Sequence, residues 1–142
     1  MKLEAALTYD DVLLAPQYSN ITSRTDINIG VSLGGRHQFD MPIIASPMDT
    51  VSSVSMAQAM YDGGGLCIFH RYQTIDSQVA TVRETIRTRG AIEPAAAIGV
   101  TDDYLERATA LYEAGVHILC IDVAHGHHVL VKSALYELRK TR

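Results

Sequence analysis

The sequence has little of several things, and each scarcity narrows what it encodes. Among 142 residues there are two cysteines, Cys67 and Cys120. Two lone thiols far apart make neither a disulfide framework nor a zinc site, so a reducing cytoplasm is the expected compartment. Positive charge is short as well: 12 Lys and Arg against 16 Asp and Glu leave a formal charge of -4. A sequence-independent nucleic-acid binder needs a basic face to displace counterions, so no nucleic-acid partner is expected. No apolar run reaches the ~18 residues of a membrane span. Met1-Lys2-Leu3-Glu4 introduces an acid at once and has no long apolar core behind it, so neither a signal peptide nor a membrane partner is expected. Low-complexity segments and interdomain linkers are missing too. One domain over residues 1–142 is the natural reading, with 47% hydrophobic and 20% charged residues as in ordinary globular proteins.

What is there is an alternation of short apolar runs and amphipathic segments. Met41-Pro42-Ile43-Ile44-Ala45 reads as a strand, and residues 52–62 as a helix with Val54, Met56, Ala57, Met60 and Tyr61 on one face. Gly63-Gly64-Gly65 stops that helix through a left-handed turn. Leu66-Cys67-Ile68-Phe69 is the next strand; Thr74 then caps a helix carrying Ile75, Val79, Val82 and Ile86 as far as Gly90. The third strand is predicted over residues 95–100. Thr101 is expected to cap its helix, which buries Tyr104, Leu105, Ala108, Leu111 and Tyr112. The fourth strand, residues 116–123, precedes a helix with Val131, Ala134, Leu135 and Leu138 inward and Arg139, Lys140 and Arg142 at its dipole-complementing end. Strands with so little polar alternation, each followed by such a helix, form a parallel sheet covered on both faces. Residues 41–142 therefore hold four βα units. Residues 1–40 are a lead-in punctuated by Pro16, plus an outer half-buried strand in which Ile27, Ile29, Val31 and Leu33 alternate with polar residues.

In parallel β/α proteins, chemistry gathers at the carboxyl ends of the strands. The unusual residues of this chain fall there: Ser46-Pro47-Met48-Asp49-Thr50, His70-Arg71-Tyr72, Gly99, and Asp122 followed by His125-Gly126-His127-His128. Two of the helix starts could also offer backbone N–H groups to a phosphate or carboxylate. Asp49 and Thr50 suit either a site or a helix cap, and the sequence leaves both open. The His125, His127 and His128 cluster lacks the third partner and outer shell of a metal site, so no metal is assigned. His37 and His117 read as structural or surface residues, and the two cysteines as buried hydrophobes rather than nucleophiles.

The same segments resemble one known family. Leu7-Thr8-Tyr9-Asp10-Asp11-Val12-Leu13-Leu14-Ala15-Pro16 resembles the opening of IMP dehydrogenases, and residues 41–51 their first barrel strand. Gly63 to His70 is similar to the second strand, and Ile121-Asp122-Val123-Ala124-His125-Gly126-His127 resembles the cofactor-side strand of IMP dehydrogenases and GMP reductases. The resemblance implies a TIM (β/α)8-barrel oxidoreductase acting on a purine nucleotide (IMP, XMP or GMP) with NAD or NADP. It implies that Ser46 and Met48 touch the nucleotide, that Asp122 bonds a cofactor ribose beside Val123 and Ala124, and that Asp49, Thr50, His70, Arg71, Gly99, His125 and Gly126 border the site. Arg71-Tyr72 departs from the family's usual pair at that point, as Val123-Ala124 does from a serine pair. No regulatory CBS module is expected, because only residues 91–94 separate the second helix from the third strand. The chain corresponds to the first four βα units, a half-barrel; the family's catalytic cysteine, whose thiolate attacks the purine C2, falls beyond them.

Three hypotheses follow from this reading. The chain is an enzyme half completed by a companion half-barrel or a second copy; or a non-catalytic nucleotide-binding or assembly module; or a complete doubly wound domain with an unrelated ligand. Within the first, an IMP dehydrogenase ranks ahead of a GMP reductase. A half-barrel would leave two apolar edge strands and an open inner face lined by Ile44, Ile68, Ile98 and Ile121 or their neighbours, surfaces that favour pairing with another chain.

Overall fold

The computed structural model describes residues 4–90 and 92–141. The expectations resting on Met1, Lys2 and Leu3, on Ala91 in the connection to the third strand, and on Arg142 lie outside the described residues. Residues 4–30 are exposed and extended apart from two 3-10 turns, Tyr9–Asp11 and Arg24–Asp26. The first turn is held by a capping box, in which the Thr8 backbone N–H donates to Asp11 Oδ2 at 2.8 Å.

Strands β1 (Val31–Leu33) and β2 (His37–Phe39) form an antiparallel hairpin. The half-buried outer strand predicted over residues 27–33 is thus shorter, and its three residues are all exposed. The hairpin meets the rest of the molecule through β2 instead. Phe39 packs against the cluster of Leu66, Ile68, Ala95 and Ala97, and His37 Nδ1 pairs with Glu93 Oε2 at 2.5 Å; among the described residues β1 has β2 as its one sheet neighbour.

Four strands then form a parallel sheet: β3 (Ile44–Ala45), β4 (Leu66–Phe69), β5 (Ala95–Ile98) and β6 (Ile118–Ile121). Helices α1 (Val54–Asp62), α2 (Ile75–Arg89), α3 (Tyr104–Glu113) and α4 (Val129–Lys140) follow them in turn. Each strand lies beside its predecessor in the order β3-β4-β5-β6. A doubly wound domain reverses direction at a switch point, and this sheet contains no reversal. The ladders are shorter than the apolar runs. Pro42 has no N–H to give β3, while His117 N turns to the Pro94 carbonyl before β6 begins. None of the described helices is long and apolar enough to cross a membrane.

Register decides which residues share a face. Ile44 pairs with Leu66 and Ile68 with Ala95, so one face carries Leu66, Ile68, Ala95 and Ala97, joined by Ile118 and Cys120. Cys67, Phe69, Ala96 and Ile98 point the other way, into a core shared with Ala57, Val82, Ala108 and Leu111. The expectation that Ile98 and Ile121 join Ile44 and Ile68 on one inner face is therefore corrected. Side chains alternate along a strand, and Ile98 and Ile121, paired with each other, pack against the helix-side core.

Gly63 is the C-cap of α1 and Gly64, at φ 78°, makes the left-handed turn after it, as the glycine run predicts. The amendments concern the helix stripes and a cap. Tyr112, expected inward on α3, is exposed, as is Leu135 on α4, while Arg107 is buried. Thr101 does not cap α3. The cap residue is Asp103, and its side chain leaves the helix N–H groups alone because Arg107 takes it: Arg107 Nη2 donates to Asp103 Oδ2 at 2.6 Å.

That guanidinium organises a polar network behind the strand ends. Arg107 Nη1 donates to Gln78 Oε1 at 2.8 Å, and Nη2 also donates to the Gln73 carbonyl at 3.0 Å. Gln78, fully buried, turns its Nε2 to the carbonyls of Phe69 and Ala97 at 3.3 and 3.0 Å, bridging β4 and β5. Breaking such a network leaves buried polar atoms without partners. Arg107→Met is expected to lower the unfolding free energy by about 2–3 kcal/mol, read as a shifted urea midpoint with unchanged slope. A change within about 0.5 kcal/mol, typical of a surface position, would show that the network carries no load.

Candidate functional site

The carboxyl ends of the four parallel strands are tied to one another by side chains. At the β3 end, Ser52 Oγ donates to the Met48 carbonyl at 3.0 Å and accepts from the His70 backbone N–H at 3.1 Å. That pair of bonds joins β3 to β4. Arg71 then reaches across from β4 to β6, its Nε donating to the Asp122 carbonyl oxygen at 3.2 Å and lying 3.4 Å from Asp122 Oδ2. Between them lies Gly99 at the end of β5, where a Cβ would meet Arg71 Nη1 at 3.5 Å. The glycine leaves the guanidinium room to cross.

Tyr72 closes this arrangement. Its hydroxyl donates to Asp122 Oδ2 at 3.5 Å, and its ring lies 5.2 Å from the Arg71 guanidinium carbon. His70 stacks on Tyr72 with ring centroids 6.4 Å apart, while its Nδ1 is buried without a partner among the described residues. Asp122 is half-buried and two donors face its Oδ2; its Oδ1 makes no hydrogen bond among the described residues. The site thus offers one fixed carboxylate with a free oxygen, flanked by a cation and a phenol.

The expected residues divide into two groups. His70, Arg71, Gly99 and Asp122 are brought together, and Met48 joins them through its carbonyl. Ser46, Asp49 and Thr50 are exposed in the turn after β3. The cap reading for Asp49 and Thr50 is overturned: Ser53 caps α1, its Oγ accepting from the Met56 N–H at 3.1 Å. Val123 is half-buried and Ala124 exposed beside Asp122. His125, Gly126 and His127 are exposed, and His128 caps α4 by accepting from the Leu130 N–H at 3.2 Å. His125 lies edge-on to His127 and His128, at 6.4 and 6.3 Å. Among the described residues no three metal-ligating side chains converge. Ser52, Gln78 and Arg107 were not singled out by the sequence. Gln78 carried a signal, a polar residue on a helix stripe with Ile75 and Val82, whereas nothing distinguished Ser52 from other serines near a helix start.

Comparison with known proteins gives the family. The IMP dehydrogenase / GMP reductase domain matches residues 6–142. The chain belongs to that family. It is 41% identical over 88 residues to inosine-5'-monophosphate dehydrogenase of Nitrosopumilus maritimus, covering 62% of this chain and 18% of the relative. It is 42% identical over 87 residues to GMP reductase of Leishmania donovani, with 61% and 18% covered. Against GMP reductase of Bacillus subtilis the identity is 26% over 140 residues, with 97% and 42% covered. The chain thus spans less than half the length of these relatives.

Neither cysteine of this family member sits among the strand-end side chains. Cys67 faces the helix-side core, and burial pushes its thiol up to about 11. Burial, with the Asp122 charge second, also raises Cys120. A thiolate is the reactive form, so both are poor nucleophiles at neutral pH. The raised Cys67 value has a stability consequence. The folded state holds this proton more tightly than the unfolded chain, so the contribution is intact below pH 9.0 and lost as pH rises toward about 11. Thiol labelling checks the burial: at pH 8, Cys67 is expected to react with an aromatic disulfide only as fast as the chain unfolds. Rapid labelling of native Cys67 would contradict it.

Proposed function

We propose that this chain is the first half of a barrel oxidoreductase of purine nucleotides, of the IMP dehydrogenase kind, converting IMP to XMP with NAD in the cytoplasm. In this reading residues 1–142 are one domain: 1–40 form a lead-in and outer hairpin, and 41–142 supply four of eight βα units. A companion half-barrel, or a second copy of the chain, supplies the rest. The observation that carries the proposal is the meeting of Arg71 and Tyr72 from the end of β4 with Asp122 from the end of β6, across β5, in a chain of this family.

The residues fit a nicotinamide dinucleotide. Asp122 Oδ1 lacks a partner among the described residues, and an acceptor-only carboxylate suits the hydroxyls of a ribose. Val123 and Ala124 would border the same sugar, with His125 and Gly126 beyond them. Ser46 and Met48 would meet the purine nucleotide, Met48 packing on the base; Asp49, Thr50, His70, Arg71 and Gly99 complete the rim. The cofactor supplies hydride chemistry, and the chain's own groups bind and orient. The attacking thiol would belong to the companion, consistent with the burial of Cys67 and the raised pKa of both cysteines. A second reading, GMP reductase with NADPH, is favoured by the 42% identity to the Leishmania donovani enzyme of that name.

Turnover separates these readings. The 142-residue chain alone is expected to convert neither IMP nor GMP. Co-expressed with a C-terminal half-barrel bearing the family's cysteine loop, it should oxidise IMP. In that pair Asp122→Ala is expected to raise the cofactor KM at least tenfold and the IMP KM much less, since a charged hydrogen bond is worth about 1.5–3 kcal/mol. Steady turnover by the chain alone, abolished by changing Cys67 or Cys120, would overturn the proposal. GMP reduction by the pair would select the second reading.

Assembly is a separate consequence. β3 and β6 are both edges of the parallel sheet, Ile43, Ile44 and Leu119 are exposed on or beside them, and Val129, Leu135 and Tyr136 are exposed on α4. Such edges template further pairing. Light scattering at micromolar concentration is expected to show a dimer or larger species; a monodisperse 15.5 kDa particle that unfolds cooperatively would contradict this.

A further inference from the structure

Arg71 has more capacity than Asp122 uses. Its side chain is 33% exposed, yet only Nε is engaged, on Asp122. Nη1 and Nη2 donate no hydrogen bond among the described residues. A guanidinium presents five N–H donors in a rigid fork, so four are left for solvent or a ligand. The fork is held in place by three contacts: Nε on Asp122, the Tyr72 ring beside the guanidinium, and the open backbone of Gly99 next to Nη1. The His70 Nδ1, buried and unpartnered among the described residues, lies at the end of the same strand. Donors therefore remain on Arg71 while an acceptor oxygen remains on Asp122, its immediate neighbour.

A ribose phosphate has the opposite pattern on one sugar: hydroxyl donors on the ring and anionic acceptors on the 5′ arm. We propose that the free Nη edge of Arg71 takes phosphate oxygens of the ribonucleotide whose ribose hydroxyls meet Asp122. The proposal rests on the reading of Asp122 as the cofactor-ribose residue and adds to it a phosphate contact from the residue pair at which this chain departs from its family's pattern. Arginine suits the task because its planar fork binds phosphate in two-pronged fashion, which a lysine ammonium does not.

The test is a titration of the isotope-labelled 142-residue chain, co-expressed with the C-terminal half-barrel of the proposed pair, followed by amide chemical shifts, with nicotinamide riboside, nicotinamide mononucleotide and NAD. The mononucleotide and NAD are expected to bind at least tenfold more tightly than the riboside, the size of one charge-assisted contact. Arg71→Met should weaken the mononucleotide and NAD at least tenfold more than the riboside, whose affinity changes only through the lost contact with Asp122. Arg71→Lys, which keeps the charge and the stem, should lose most of the difference and serves as the deciding variant if the methionine variant fails to fold. Asp122→Asn should weaken all three ligands alike. Equal wild-type affinity for riboside and mononucleotide overturns the phosphate contact and leaves the Asp122 reading standing. So does an Arg71 variant that weakens the riboside as much as the mononucleotide, since Arg71 would then act only through Asp122. If Asp122→Asn changes none of the three affinities, or the wild type binds none of them, the ribose reading falls and this proposal with it.

Discussion

A guanidinium buried behind the strand ends sets the geometry on which the candidate site is built. Arg107 comes from α3, yet its partners are Gln78 of α2, the Gln73 carbonyl of the loop before it, and Asp103 at its own helix start. Gln78 passes the constraint on to the carbonyls of Phe69 and Ala97. Two helices and two strands are fixed by one set of hydrogen bonds. Burying a charge is costly unless every donor is used, so the arrangement tolerates little displacement. Its specificity is geometric: a fork of fixed shape accepts one placement of α2 against α3.

Above this layer the strand ends are connected by a second set of contacts, from Met48 through Ser52 and His70 to Arg71, Tyr72 and Asp122. The lower set is buried and rigid, whereas the upper set is half-exposed and keeps unpaired groups. That contrast is what a binding site requires. Groups that recognise a ligand must be held by others, yet must retain donors and acceptors of their own. Asp122 and Arg71 each give up part of their capacity to the other and keep part of it.

The remaining exposed surface is apolar at the margins of the fold. β3 and β6 each have one sheet neighbour, and the first strand of the hairpin contributes no buried residue. The long exposed lead-in carries Leu13, Leu14 and Tyr18 with almost their full side chains in solvent. Apolar groups presented this way stabilise only when another surface covers them.

The sequence by itself determined the alternation of strand and helix, the α/β class and the family. It also placed several details: β4 matched Leu66–Phe69 and α2 matched Ile75–Arg89 with Thr74 as its cap. These rest on local signals, namely apolar runs, helical spacing and capping residues, and local signals survive in a linear reading. It also put His70, Arg71, Gly99 and Asp122 on one edge, because the carboxyl ends of parallel strands face the same way. Tertiary structure alone decided the rest. Ile98 and Ile121 went to the helix side because register, which no single strand specifies, sets which residues share a face. Asp103 could not cap α3 because Arg107 claimed its carboxylate, and Arg107 could be buried only because Gln78 and Gln73 were there to receive it. The contact between Arg71 and Asp122 spans 51 residues of sequence. A contact of that separation exists only after three strands have paired, and so no pattern along the chain announces it.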